Sequence, residues 1–260
     1  MQDIIPLFYS SSSLKEGGIF TFDKAGAAAK SGKKYGPVSL CDLAKSEGLT
    51  QLHFVASKFA DFMTAGKNLK DVNCQMVFGL KLTICDNMED KSDASLRNES
   101  SVIIWMAGDG SSDYEGLIDI YSTAAQQGFY YAPRLDWKRL RAMWRDDFIL
   151  SLPFYSSFIA RNTLTMASIV PDLPASPLIF REVKNLMPYD NLIESAIKKF
   201  NATTGYPTQN VKSIYYKNRK DAEQFQIWRC ILGRKDHDKP NDGICSAEFC
   251  WEAYKQEVSK

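Results

Sequence analysis

Strand-length apolar runs alternate with helix-length amphipathic segments through most of this sequence, and that rhythm constrains its fold more than any other feature. Residues 51–55, 74–82, 102–106, 148–152, 178–183 and 212–216 read as strands. Residues 38–48, 60–69, 113–127, 136–145, 190–203 and 221–231 read as helices between them. The helix at 38–48 places Val38, Leu40, Cys41 and Ala44 on one side and stops at Gly48, and the one at 190–203 stops at Gly205. Alternating strands and helices imply parallel βαβ units, and about seven of them predict a closed or nearly closed α/β barrel. The unequal spacing points to a distorted (β/α)7-type barrel rather than a symmetric one, with a doubly wound open sheet as the alternative. In either case the site is expected at the C-terminal ends of the strands.

The 260 residues suit one large domain or two small ones, and an apolar content of 45% is enough for a substantial core. We read residues 1–260 as a single domain, with the polar stretch 86–99 as an exposed loop. Lys and Arg number 32 against 31 Asp and Glu, so no general positive field draws in nucleic acid, and any DNA contact would be a local patch. The six cysteines form no paired framework, which with the absence of a charged-then-apolar leader suggests a cytoplasmic protein with reduced thiols. The longest apolar runs, such as 102–107, fall far short of the roughly 20 residues that span a bilayer, so no membrane association is expected.

Residues 114–150 contain Gly128-Phe129-Tyr130-Tyr131-Ala132-Pro133-Arg134-Leu135-Asp136. This run is similar to the G-F-Y-Y-K-P-R-I-D stretch of the bacterial DNA polymerase III α subunit. A second block, 211–233, resembles the same family through Tyr216-Lys217-Asn218 and Asp221-Ala222-Glu223. Residues 13–18 look like its S-L-L-D-G-A, and Val77-Phe78-Gly79 looks like its I-I-G. The blocks keep the family's order and approximate spacing over residues 5–255. The part covered is the polymerase and histidinol phosphatase (PHP) domain alone, which cannot polymerise without palm, fingers and thumb.

An active PHP site holds a cluster of metal ions largely on histidines. This chain has two histidines, His53 and His237, too few for such a cluster. By the resemblance, the opening H-x-H falls on Leu7-Phe8-Tyr9 and its later acid on Glu16. The T-D-H-G-N turn falls near 54–58, where no Asp, His or Cys stands. The glutamate of G-x-E becomes Lys81, a cation where cations would sit. The remaining ligand positions fall on Ser100 or Ser101, near Leu152-Pro153, and on Ser213 and Tyr215. Tyr9, Tyr215 and Phe54 are expected to fill the vacated space. The resemblance therefore implies no bound cofactor or metal.

Other features weigh toward structure. His53, between Leu52 and Phe54, reads as a hydrogen-bonded strand histidine. Cys245 and Cys250 near His237 lack a fourth zinc ligand and read as free thiols. Gly17-Gly18 and Gly108-Asp109-Gly110 are turn glycines without a phosphate-loop pattern. The candidate interaction surface is Trp137, Lys138, Arg139, Arg141 and Arg145, set against the plainer reading of an amphipathic helix with a solvated basic side; Lys212, Lys217, Arg219 and Lys220 have the same standing.

The resemblance implies a non-catalytic binding or regulatory module of DNA replication, encoded by a phage or mobile element, whose partner is a polymerase or the proofreading exonuclease. A second reading is a metal-dependent phosphoesterase or 3′–5′ exonuclease using rearranged ligands Glu16, Asp61, Asp109 and Asp113. A third takes the chain as the N-terminal domain of a larger polymerase subunit.

Overall fold

A computed structural model describes residues 3–10, 18–23, 38–107, 114–233 and 244–259. In chain order the elements begin with β1 (Ile5–Tyr9), β2 (Phe20–Thr21), β3 (Val38–Ser39), α1 (Leu40–Glu47), β4 (Gln51–Ala56), α2 (Phe62–Lys70) and β5 (Gln75–Cys85). Next come α3 (Asp93–Arg97), β6 (Ser100–Met106), α4 (Glu115–Gln127), β7 (Arg134–Asp136), α5 (Trp137–Ala142) and β8 (Phe148–Leu152). The rest are α6 (Phe158–Thr165), β9 (Leu178–Glu182), α7 (Asp190–Thr204), β10 (Thr208–Ile214), a 3-10 turn (Arg219–Asp221), α8 (Ala222–Gly233) and α9 (Trp251–Val258).

Hydrogen-bonded neighbours run β4-β1-β10-β9-β8-β6-β5-β7, and β4 also pairs with β5. Seven strands thus close a ring of pairings, the pattern of a barrel-like α/β fold. The expected all-parallel order needs one correction. β1 runs parallel to β10 and β4, β5 to β7, and β8 to β9, but β6 is antiparallel to both β5 and β8. The link between β5 and β6 contains only the five-residue helix α3, which spans about 7.5 Å at 1.5 Å per residue. The seven residues of β6 extend about 23 Å. Residues 86–99 fold into turns and this helix rather than an extended crossover, and β6 returns in the reverse direction.

Two compact units divide the chain: residues 1–78, 182–187 and 211–260 form unit one, and residues 79–181 and 188–210 form unit two. In unit one the register pairs Phe8 with Phe54 and Tyr9 with Val55. Side chains alternate across a strand, so Phe8 and Phe54 share one face and Tyr9 takes the other. Phe8 packs against Phe20 (6.0 Å) and Trp251 (5.6 Å), while Phe54 packs against Phe22 (4.5 Å) and Phe78 (5.7 Å). Ser39 caps α1 by accepting from the Asp42 N–H, and Gly48 ends the helix at φ 65°, as its sequence predicts.

In unit two, β5, β6 and β8 carry the buried aliphatic core, Leu80, Leu82, Ile84, Val102, Ile104, Leu150 and Leu152. On the other face of β5, a Cβ at Gly79 would lie 2.7 Å from the Trp105 ring, so only glycine leaves room for the indole. Trp105 Nε1 donates to Ser151 Oγ at 3.0 Å. Gly205 closes α7 at φ 65°, again where the sequence places the stop. The stretch 86–99 is mostly exposed, yet Met88 and Ser95 within it are buried. Strand β1 and helices α6 and α9 do not stand out in the sequence rhythm. Among the described residues no helix is long and apolar enough to cross a membrane.

Candidate functional site

Four of the positions that the PHP resemblance marks as lost metal ligands lie on two paired strands and their continuation. Leu7 on β1 is in register with Ser213 on β10, and Tyr9 stacks on Tyr215 with ring centroids 4.4 Å apart and planes 12° from parallel. Leu7, Tyr9, Ser213 and Tyr215 are all buried. Phe225 (5.2 Å) and Phe249 (6.0 Å) flank Tyr215, in the role that the sequence reading gave to Phe54. That expectation is corrected by the pleat, which turns Phe54 to the opposite face of β4 from Tyr9's neighbour Val55. Gly18 lets the chain pass close by: a Cβ there would sit 2.3 Å from the Tyr9 carbonyl and 2.4 Å from that of Tyr215. Stacked phenols packed among phenylalanines leave little room for a hydrated cation between them.

Beside Ser213 lies a polar cluster that the sequence did not reveal. The Glu182 carboxylate accepts from the Ser213 N–H (3.1 Å), from Asn185 Nδ2 (2.8 Å) and from the Ser213 hydroxyl. Burial pushes the Glu182 carboxyl above its usual range, against the pull of these donors and of Lys212. Lys212, 1% exposed, sends Nζ to the carbonyls of Val183 (2.8 Å) and Lys184 (3.0 Å), and burial lowers its pKa. Lys184 and Leu186 adopt left-handed backbone, φ 46° and 58°. The basic run 212–220 is therefore not one solvated surface, because Lys212 is an internal fastener. Burial also takes His53 down to about 4, so the imidazole is neutral at physiological pH.

The other marked positions are in unit two. Lys81 is half-buried opposite Ile103 on β6, and Ser101 pairs across to Thr83 and donates its N–H to the Ser156 carbonyl at 2.6 Å. Pro153 is buried, and its carbonyl accepts from the Ser157 N–H at 3.1 Å. Glu16, Asp109, Asp113 and His237 lie outside the described residues, as do Gly17 and the 108–110 turn. Of the rearranged ligand set only Asp61 is described, in unit one, where it accepts from Ser10 Oγ at 2.9 Å. No group of three or more His, Cys, Asp or Glu suited to a metal ion occurs among the described residues. The six cysteines are unpaired, and Cys250 caps α9 by accepting from the Ala253 N–H.

The two blocks that carry the resemblance serve the framework. Arg134, fully buried, donates Nε to the Gly128 carbonyl (3.2 Å), Nη1 to Glu99 (3.0 Å), and Nη2 to the carbonyls of Met88 (3.1 Å) and Asp90 (3.2 Å). One guanidinium thus ties the 86–99 stretch to the 128–136 turn. Gly128 is required because a Cβ there would lie 2.0 Å from the Arg134 carbonyl. In the second block, Tyr216 is fully buried and Asn218 with Asp221 forms a reciprocal capping box around the 3-10 turn.

The candidate interaction helix is shorter than expected, ending at Ala142, with Asp136 capping the Arg139 N–H at 2.8 Å. Its arginines, and Arg145 just beyond its end, have hydrogen-bond or ion-pair partners. Arg139 bonds Gln127, Arg141 bonds Asp172 and the Leu173 carbonyl, and Arg145 pairs with Asp147 at 2.9 Å. Lys138 is exposed and Trp137 half-buried. Exposed aromatic surface lies instead just before it, at Phe129 (54% exposed) and Tyr131 (70%). No family model matches this chain, and no curated protein matches it either.

Proposed function

We propose that this protein is a catalytically inactive PHP-like barrel that acts as a binding module in DNA replication, docking a polymerase or a proofreading exonuclease. The observation that carries the reading is the Tyr9–Tyr215 stack, set among Leu7 and Ser213 where the resemblance places metal-ligating histidines. Phenols in ring-to-ring contact offer neither the neutral imidazole nitrogens nor the paired carboxylates that activate water on a metal ion. Lys81, in its half-buried place on β5, adds a cation where the resemblance places an acid. Arg134 and the Asn218–Asp221 box give the blocks of resemblance a framework role that needs no metal chemistry, since both hold backbone in place. Any DNA contact in this reading is local, as the near-zero net charge requires.

The test immobilises the purified chain and passes over it, separately, a purified replicative polymerase core and a proofreading exonuclease from the host, with Mn²⁺, Zn²⁺ and Fe²⁺ loading measured in parallel. Saturable binding to one of the two is expected, with no metal-dependent hydrolysis of a phosphoester. Absence of binding to both, or stoichiometric metal with phosphoesterase activity, defeats the reading.

A further inference from the structure

Unit two contains a cavity of ≈ 330 Å³ whose lining includes Thr83, Glu99, Ser101, Tyr155, Ser156 and Arg161. Its volume is at the small end of ligand pockets, which run from roughly 300 to 1,000 Å³. Its lining is held in place by the protein itself. The charged groups are held: Glu99 is fixed through Oε1 by the buried Arg134, and Arg161 is fixed by the Asn98 carbonyl and Asn162 Oδ1. Tyr155, likewise, is oriented by its hydroxyl bond to Asp190 at 2.9 Å. The Ser101 N–H donates to the Ser156 carbonyl at 2.6 Å, which fixes the backbone of this wall.

The lining chemistry selects the ligand. An anion would meet the Glu99 carboxylate, and a cation would meet the Arg161 guanidinium. A neutral molecule carrying several hydroxyls satisfies both, accepting from Arg161, donating to Glu99 and doing either with the serine and threonine hydroxyls. The Tyr155 ring offers an apolar surface for C–H groups. We propose that this cavity binds a small uncharged polyhydroxyl ring, a free monosaccharide or the ribose of a nucleoside. The site needs no metal and is independent of the replication partner proposed above.

Saturation-transfer NMR on the full chain with D-ribose, adenosine and ribose 5-phosphate tests the assignment. Ribose is expected to receive saturation, and Arg161→Gln to weaken it about tenfold by removing a charged hydrogen-bond donor. Thr165→Trp, at an exposed lining position near the end of α6, is expected to abolish binding by blocking the cavity while the thermal midpoint stays near that of the parent. Adenosine binding more tightly than ribose assigns the site to a nucleoside, and equal binding assigns it to a free sugar. No transfer to either ribose or adenosine, equal transfer in the parent and Thr165→Trp, or binding of ribose 5-phosphate alone would overturn the proposal.

Discussion

Each unit buries a cation, and the two solve the same problem differently. In unit two Arg134 is enclosed with four acceptors, one of them the Glu99 carboxylate, so its charge is compensated where it sits. In unit one Lys212 has two carbonyls for its ammonium, and burial lowers its pKa despite the opposing charge of Glu182. A planar guanidinium spreads its donors over several acceptors at once, whereas an ammonium is a compact charge that loses more hydration for each bond it gains. His53 marks the far end of the series, because its burial is met by giving up the charge altogether.

If that ordering is right, Arg134→Met has the largest effect. It leaves Glu99 and three backbone carbonyls without their donor, and a loss of about 4 kcal/mol is expected in urea unfolding. Arg134→Lys should recover less than half of it, since one ammonium cannot serve acceptors spread around a fork. Recovery to the parent value would remove the distinction between the two cations.

The next effect is a pH dependence. His53 has a folded pKa near 4 against 6.5 unfolded, so between those values the unfolded chain binds the extra proton. Its contribution is constant above pH 6.5 and destabilises progressively as pH falls toward 4, by up to about 3 kcal/mol. Glu182 acts in the opposite sense. Its raised folded pKa means the native state holds the proton, so its contribution declines as pH rises from 4.5 through the raised value. Subtracting the unfolding curve of His53→Gln from that of the parent isolates the histidine. A difference that does not change with pH would show that His53 is not held neutral in the folded chain.

Lys212→Met is the smallest of the three. The methionine fills similar space and removes a poorly compensated charge, but the Val183 and Lys184 carbonyls lose their donor, for a net cost of about 2 kcal/mol. A loss as large as that of Arg134→Met would invert the comparison.

Local signals made much of the architecture legible. The glycine stops at Gly48 and Gly205 fall where the sequence puts them, and the strand Phe148–Leu152 matches residue for residue. The candidate positions divide differently. Leu7, Tyr9, Ser213 and Tyr215 lie together on β1, β10 and its continuation, whereas Phe54 is turned away by the pleat, which a list of aromatic residues does not encode. The basic helix 137–145 reads as a candidate surface for a partner; in the structure Arg141 and Arg145 stay 44% exposed while pairing with acceptors, one of them as distant in sequence as Asp172.

What the sequence determined alone is most of the longer local elements and the histidine count, because caps, periodicity and composition act within a few residues or across the whole chain without regard to pairing. The tertiary structure decided the direction of β6, the burial of Lys212 and Arg134, and the gathering of Thr83, Glu99, Ser101, Ser156 and Arg161 around one cavity. Each of these depends on which distant segments share a hydrogen-bonded edge. A lysine or a serine has the same local signature whether water or a buried carbonyl faces it, so only the fold distinguishes the two.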